Sequence, residues 1–421
     1  MTEFEIAALL LTLSALFGWF NIRFFRLPHT IGLLIMALSS SLALLVLHAV
    51  FPAMGLVDAL RDLLNEIDFY SALMEGMLSL LLFAGALHVD LNLLKDQKWV
   101  IGIMASIGVA ISTAIVGVLL WAAARLCGFD VPLAWALVFG ALISPTDPVA
   151  VLGLLKTVSV PETIKAKIAG ESLFNDGAAL VMFTVLITLA MVTPAQQPPT
   201  AFGIAQILVY EGVGSILFGL LTGWIAYRGM LAIDDHVVEI LISLAVCVGT
   251  YVLCHRLHLS GPIAVAVCGL FIGNHGAEYA MSEKVEEYLF AFWEVVDELL
   301  NSVLFLLIGL EVLVIAFDLS LFWFALLAIP IVLLARWVSV AVPISLLSMR
   351  KAFSRGAIPI LTWGGLRGGV SVALALTLPD EGPKALLQAA TYGVVIFSIV
   401  FQGLTIKWVI GRTTDVPVAD G

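Results

Sequence analysis

The composition of the chain excludes an ordinary soluble protein. The chain has 421 residues, of which 61% are hydrophobic and 12% are charged, and its formal net charge is −11. Soluble domains contain about a quarter charged residues, and a soluble protein this apolar would expose far too much apolar surface. The acidic balance, without a basic patch, argues against nucleic acid as a partner. We therefore predict an all-α polytopic protein that lies in the lipid bilayer.

Long apolar segments follow one another along the whole chain. A helix that spans the bilayer needs about 20 apolar residues, and this length predicts thirteen transmembrane helices, at 4–20, 30–50, 69–89, 99–126, 132–153, 163–192, 202–229, 236–256, 260–275, 294–316, 320–348, 356–378 and 384–410. The stretches 56–67 and 280–292 are predicted to be amphipathic helices at the membrane surface. The N-terminal sequence MTEFEIAALLLTL lacks the basic residues of a signal peptide. The first helix is therefore expected to be retained, and no soluble domain is expected before or after the spans.

The basic residues predict the orientation of the chain. The loops after the odd-numbered spans, together with the C-terminus, hold fourteen of the twenty Lys and Arg residues, whereas the opposite loops hold four. Cytoplasmic loops carry the excess of Lys and Arg, so we expect the N-terminus outside and the C-terminus in the cytoplasm. The other two basic residues, Arg336 and Arg367, fall inside predicted spans. The sequence does not identify a partner for Arg336.

Two of the predicted spans are interrupted at corresponding places. The fifth span contains SPTDP at 144–148, where two prolines remove backbone donors and unwind the helix. The twelfth contains TWGGLRGG at 362–369, and four glycines make a poor helix centre. With the seventh span as connector, the breaks are each fifth in a set of six, which predicts inverted six-helix repeats around a midplane site. Simple proline and glycine kinks are the alternative, but an ionisable residue in each break, Asp147 and Arg367, favours a site.

The sixth span begins with GESLFNDGAALVMF, residues 170–183, and places several oxygen ligands in an apolar segment. Ser172, Asn175 and Asp176 are at positions i, i+3 and i+4 and share one helix face. The broken fifth span adds Asp147 and the freed backbone carbonyl of Thr146. Carboxylates, a hydroxyl and a carbonyl suit a small alkali cation better than a soft metal.

The charges of this constellation suggest separate roles. Arg367 stays protonated and needs a partner when buried, and Glu171 is the natural one, with Asn175 as a hydrogen-bonding neighbour. Asp176 then remains free to hold either a proton or a cation, because burial favours the protonated form of a carboxylate and a bound cation favours the ionised form. If a proton and a cation compete for this one carboxylate, binding of either releases the other, which is a mechanism of exchange. Asp147 and Asp176 could also titrate as a coupled pair, so the carrier of the proton stays open.

Three motifs together resemble those of one transporter family. Ser144 to Pro148, the ESLFND motif at 171–176 and the GGLRGG motif at 364–369 are similar to those of the NhaP-type sodium/proton antiporters, which belong to the first branch of the monovalent cation/proton antiporters. The resemblance implies an NhaA-like antiporter fold in which the two broken helices cross, with Na⁺ bound by Thr146, Asp147, Ser172 and Asp176. It also implies a structural pair of Glu171 and Arg367 supported by Asn175.

The same resemblance implies how the transporter is organised. The chain, residues 1–421, would be one membrane-embedded unit of a homodimer in the bacterial inner membrane. A core part at 99–192 and 320–411 would move against a dimerisation part at 1–89 and 236–316, with 202–229 as a linker helix. Because electrogenic relatives have Asp where this chain has Asn175, we expect electroneutral exchange of one Na⁺ for one H⁺ by alternating access. No cofactor and no enzymatic activity are expected.

Several alternatives remain open at this stage. The ligand set barely distinguishes Na⁺ from Li⁺ or K⁺, so a potassium/proton or broad alkali-cation antiporter is the closest rival. A cation channel or membrane sensor is the rival from another class, although a channel needs a continuous pore. Asp90 is a candidate for the cytoplasmic funnel, and a solvated acid at a helix end is the alternative. Four other acids near or within spans fit either a funnel or an interface: Glu75, Glu211, Glu239 and Glu311.

Overall fold

The computed structural model describes residues 3–51, 72–148, 151, 162–191, 201–313, 319–349, 353, 356–380 and 382–413. Within these ranges all regular secondary structure is helical, so the predicted all-α class is confirmed. Backbone groups in a bilayer must be satisfied inside the chain, and a helix does this within one segment. The predicted surface helix at 56–67 lies outside the described residues.

Seven α-helices lie within the described residues of the first half of the chain. Their bounds are α1 Glu3–Phe20, α2 His29–Val50, α3 Leu78–Leu87, α4 Leu91–Ile103, α5 Val109–Leu126, α6 Leu133–Leu142 and α7 Glu162–Ala190. Short π-helical turns extend or join several of them, at Asn21–Phe25, Ala72–Met77 and Met104–Gly108.

The second half continues with ten described helices. Their bounds are α8 Ala201–Met230, α9 His236–Arg256, α10 Gly261–Phe271, α11 Ala277–Ala280, α12 Glu283–Glu311, α13 Leu319–Ser348, α14 Ala357–Trp363, α15 Gly369–Leu376, α16 Lys384–Phe397 and α17 Gly403–Thr413. Two further π-helical turns lie at Ile272–Gly276 and Ser398–Gln402.

Eight continuous helical stretches of the described chain are long and apolar enough to cross a membrane. They are Phe4–Phe25, His29–His48, Leu91–Leu126, Thr163–Ala190, Val209–Met230, His236–Arg256, Leu319–Ser348 and Lys384–Thr413. The chain is therefore a multi-pass membrane protein. The count of thirteen spans and the inverted repeat remain predictions.

Two predicted boundaries are wrong for the same reason. The fourth span was placed at 99–126, but its helix begins at Leu91, because Asp90 accepts hydrogen bonds from the backbone N–H groups of Asn92 and Leu93. The stretch 280–292 is not a separate surface helix, since α12 begins at Glu283 and runs unbroken to Glu311. In both places an N-cap starts the helix among charged residues, several turns before the apolar segment.

The helices pack in two groups. In one group α5 and α7 pack on α6, and α13 packs on both α5 and α16. In the other α10 packs between α3 and α8, and α12 packs on α2. The division into a core part, a dimerisation part and a linker helix remains a prediction. The site lies where the groups meet.

Candidate functional site

Two helix breaks contact each other, one after α6 and one between α14 and α15. Helix α6 ends at Leu142 and residues 144–147 are not helical, as expected from Pro145 and Pro148. Residues 365–368 form the second break, between α14 and α15. The N–H of Asp147 donates to the carbonyl of Leu366 at 2.8 Å. Each break thus satisfies backbone groups that the other leaves open.

Arg367 ties the second break to the first. Its guanidinium Nη1 donates to the carbonyl of Ser144, and to the carbonyl of Pro145 at 3.1 Å. Its own backbone N–H donates to Oγ of Ser398 at 3.0 Å. Two backbone carbonyls of the unwound segment therefore accept from a buried cation, which stabilises the unwound conformation.

A hydroxyl and amide network holds the first break against α7. The Thr146 hydroxyl lies 2.9 Å from the Ser172 hydroxyl and accepts from the Asn175 side-chain amide at 2.7 Å. The N–H of Thr146 donates to Asn175 Oδ1 at 3.4 Å. The sequence predicted that these three residues meet, and the structure brings them together. It adds that Thr146 does so through its side chain, whereas the sequence assigned a role only to its carbonyl.

The two carboxylates of the predicted site face one cavity of about 630 Å³. Asp147 and Asp176 line it together with Thr146 and Ser172, and they are near enough to repel each other electrostatically. Oδ1 of Asp176 is buried and has no hydrogen-bond partner in the described part of the chain. A buried carboxylate oxygen without a partner is costly. A proton or a bound cation would relieve this cost.

The cavity runs from the two carboxylates to an exposed, acidic end. Asp90 and Glu298 line this end and are exposed. Lys165 also lines it, on the same helix as Asp176 and about 16 Å away along the axis at 1.5 Å per residue. Asp90 therefore both caps α4 and lines the cavity, so the two interpretations of this residue are compatible.

The predicted partner of Glu171 is wrong. Its carboxylate forms a bidentate ion pair with Arg336 of α13, through Nη1 to Oε1 and through Nη2 to Oε2 at 2.9 Å. Nη2 of Arg336 also donates to the carbonyl of Leu361 at 2.9 Å. Arg367 is bound by carbonyls instead. Both arginines thus donate to backbone carbonyls in or beside the breaks, but only Arg336 pairs with Glu171.

Comparison with known proteins identifies the family. Residues 10–411 match the family model described as "Sodium/hydrogen exchanger, transmembrane". The chain is also 42% identical, over 97% of its length and 96% of the relative's, to the Na⁺/H⁺ antiporter NhaP of Pseudomonas aeruginosa. The chain belongs to the sodium/hydrogen exchanger family. The predicted resemblance is confirmed, and since this family consists of transporters, the chain is not an enzyme.

Two further comparisons are consistent with this family assignment. The chain is 35% identical to the Na⁺/H⁺ antiporter NhaH of Halobacillus aidingensis, over 82% of this chain and 83% of the relative. It resembles the solved structure of the sodium proton antiporter MjNhaP1 from Methanocaldococcus jannaschii at pH 8, with a TM-score of 0.72 at 20% identity and coverage of 97% and 98% of the two chains. The latter similarity concerns the fold.

Arg336 is the site residue that the sequence missed. The segment LLARWVSV shows only that an arginine lies in an apolar helix, and no local spacing reveals which acid it meets. Its contact with the second break appears only in the structure, where a Cβ at Gly365 would collide with the Arg336 guanidinium. Gly365 of the exchanger's GGLRGG motif is thus required by its neighbour, but the sequence alone does not show that this neighbour is Arg336.

Proposed function

We propose that the chain is a sodium/proton antiporter that exchanges one Na⁺ for one H⁺ by alternating access. The observation that carries this proposal is the buried Oδ1 of Asp176, which lines the cavity and has no hydrogen-bond partner among the residues that the structure describes. It is supported by family membership and by the relatives that are named Na⁺/H⁺ antiporters.

In the proposed mechanism a cation and a proton compete for Asp176. Ionised Asp176 and Asp147, the hydroxyl of Ser172 and oxygen atoms of Thr146 would surround Na⁺. When protons enter from the other side of the membrane, protonation removes the charge of Asp176 and expels the cation. Glu171, Arg336, Arg367 and Asn175 hold the ligands in place and do not themselves bind the ion. A second copy of the chain, in a homodimer, would anchor the dimerisation part.

The cavity is proposed to face the cytoplasm. Three of its lining residues, His29, Asp90 and Lys165, belong to loops or helix ends on the side that holds most of the Lys and Arg residues. The distribution of basic residues supports the assignment of that side to the cytoplasm. The acidic mouth, with Asp90 and Glu298, would then concentrate cytoplasmic cations before they reach Asp176.

Proteoliposomes test the coupling and its charge balance. A pH gradient is imposed, Na⁺ is added, and the internal pH is followed with the membrane potential clamped at zero or at 100 mV by potassium and valinomycin. We expect Na⁺ to dissipate the gradient to the same final value at both potentials. If one net charge moved per cycle, 100 mV would change the final gradient by about 2.3 kcal/mol, roughly 50-fold in concentration ratio.

The same vesicles separate the rival functions. Without valinomycin, K⁺ or Li⁺ is added in place of Na⁺, and a K⁺ response as large as that to Na⁺ would favour the broad alkali-cation antiporter. Cation flux without proton movement would indicate a channel. A correctly folded protein that moves no protons in response to any cation would contradict the antiporter proposal.

Gly368→Ala is expected to weaken Na⁺ binding. A Cβ at position 368 would stand 2.6 Å from Oδ2 of Asp147, so the carboxylate must shift. Overpacking of this kind typically costs about 1–3 kcal/mol, roughly 5- to 150-fold in the KM for Na⁺ if it falls on binding. Gly249→Ala, whose added Cβ meets no side chain of the described residues within 4 Å, is the matched control and should leave KM unchanged. An unaltered KM in active Gly368→Ala protein would remove Asp147 from the proposed site.

A further inference from the structure

A second, much smaller cavity lies beside the ion pair of Glu171 and Arg336. Its volume is about 10 Å³, and its wall includes Arg336 of α13 together with Gly365 and Arg367 of the second break. Among the described residues, none that lines this small cavity also lines the large cavity of Asp176. Arg336 is 7% exposed and Arg367 is 2% exposed. The small cavity therefore brings two buried cationic side chains to one internal space.

Each of these arginines keeps one nitrogen without a hydrogen-bond partner in the described part of the chain. Arg336 uses Nη1 and Nη2 for Glu171 and for the carbonyl of Leu361, which leaves Nε. Arg367 uses Nη1 for two carbonyls of the first break, which leaves Nη2. Nε is also the guanidinium atom of Arg336 that a Cβ on Gly365 would meet first. Because a buried charged donor without a partner is costly, an acceptor in the cavity is favoured.

The charged groups beside the small cavity leave one positive charge over. Glu171 pairs with Arg336, whereas Arg367 forms no ion pair within the described ranges and is bound by backbone carbonyls. The carboxylate of Asp147 belongs to the large cavity, where it is part of the proposed cation site. A buried charge is expensive unless it is paired. The ligand of the small cavity is therefore expected to be an anion.

We propose that the small cavity binds one chloride ion, which accepts from Nε of Arg336 and from Nη2 of Arg367. Chloride donates no hydrogen bond, which suits a wall where, among the described side chains, only Gln402 carries an acceptor oxygen. A water molecule could accept from both arginines, but it would leave the positive charge in place and would need acceptors for its own hydrogens. The small volume admits a monatomic ion and excludes larger anions.

The bound chloride would be a structural ligand of the two breaks. It would offset the charge of Arg367 and join α13, through Arg336, to the second break. Since Val394 and Phe397 of α16 also line the cavity, the ion would lie among three segments of the chain. This inference does not depend on the proposed antiport function, and its failure would leave that function untouched.

Binding of radiolabelled chloride to the purified full-length protein is the first test. The protein is exchanged into gluconate, and chloride is added at constant ionic strength and constant Na⁺. We expect saturable binding of one chloride per chain, which bromide displaces and sulfate or gluconate does not, because both are too large for the cavity. Absent or non-saturable binding would overturn the proposal and assign the cavity to water.

Bromide locates the site without any variant. In crystals of the wild-type protein grown with bromide in place of chloride, we expect an anomalous peak between Nε of Arg336 and Nη2 of Arg367. Crystals grown in gluconate should lack this peak. If bromide gives no peak between the two arginines, the saturable site lies elsewhere and the assignment is wrong.

Val394→Ile tests whether the cavity itself determines the affinity. Val394 lines the cavity, so the added methylene takes up space that the ion needs, and the Kd for chloride should rise at least tenfold. Val395→Ile is the matched control, because Val395 is also buried in α16 but is not part of the cavity wall; its Kd should match that of the wild type. An unchanged Kd in folded Val394→Ile protein, or an equal rise in both variants, would contradict the site.

Discussion

Asp176→Asn is expected to abolish Na⁺-coupled proton flux in proteoliposomes. Asparagine has the size of the aspartate but can neither ionise nor carry the exchanged proton, so both halves of the competition are lost. We expect the rate to fall by more than about 100-fold, which corresponds to about 2.7 kcal/mol. Because Oδ1 of Asp176 has no hydrogen-bond partner in the described ranges of the chain, removing the charge of Asp176 breaks no ion pair seen there, and the variant should fold at least as stably as the wild type.

The control for Asp176→Asn changes an acid that has no place in the pathway. Asp380→Asn makes the same chemical change at an exposed residue and should retain the wild-type rate. If Asp176→Asn retains coupled flux, another carboxylate carries the proton, and Asp147→Asn becomes the decisive variant. Thermal unfolding in detergent shows whether any loss of flux reflects the site or the fold.

Much of the site could be predicted because its members belong to short motifs. Helical spacing alone places Ser172, Asn175 and Asp176 on one face of α7. Prolines in one span and glycines in another predict interrupted helices. Because the two interruptions occupy corresponding places in the chain, they are expected to lie together. The structure accordingly joins Asp147 to Leu366 across the crossing.

The pairing of charges could not be predicted in the same way. Two arginines lie in spans, and the nearest motif suggested Arg367 for Glu171, whereas α13 supplies Arg336 from a segment without any motif. Arg367 is instead bound by two backbone carbonyls of the first break, those of Ser144 and Pro145. The predicted starts of two helices were also wrong. Hydropathy detects the apolar segment that spans the bilayer, whereas N-caps such as Asp90 decide where the helix begins.

The ion pair of Glu171 and Arg336 is expected to dominate the stability of the crossing. Both side chains are almost fully buried, so Glu171→Gln or Arg336→Met alone leaves one charge without its partner. Breaking a buried pair in this way typically costs about 3–5 kcal/mol, whereas replacing both partners by apolar residues is often neutral. Glu171→Leu combined with Arg336→Met should therefore unfold at a higher SDS fraction than Glu171→Gln or Arg336→Met alone.

A double-mutant cycle distinguishes the two candidate partners of Glu171. The free energy of unfolding of Glu171→Gln, Arg336→Met and their combination should give a coupling energy of about 2 kcal/mol or more, within the range for residues in one network. The cycle of Glu171 with Arg367→Met should give less, because Arg367 loses carbonyl contacts in either background. The exposed pair of Asp380 and Lys384 provides a reference below about 1 kcal/mol. A larger coupling with Arg367 than with Arg336 would restore the partner that the motif suggested, and would assign α13 a lesser part in holding the breaks together.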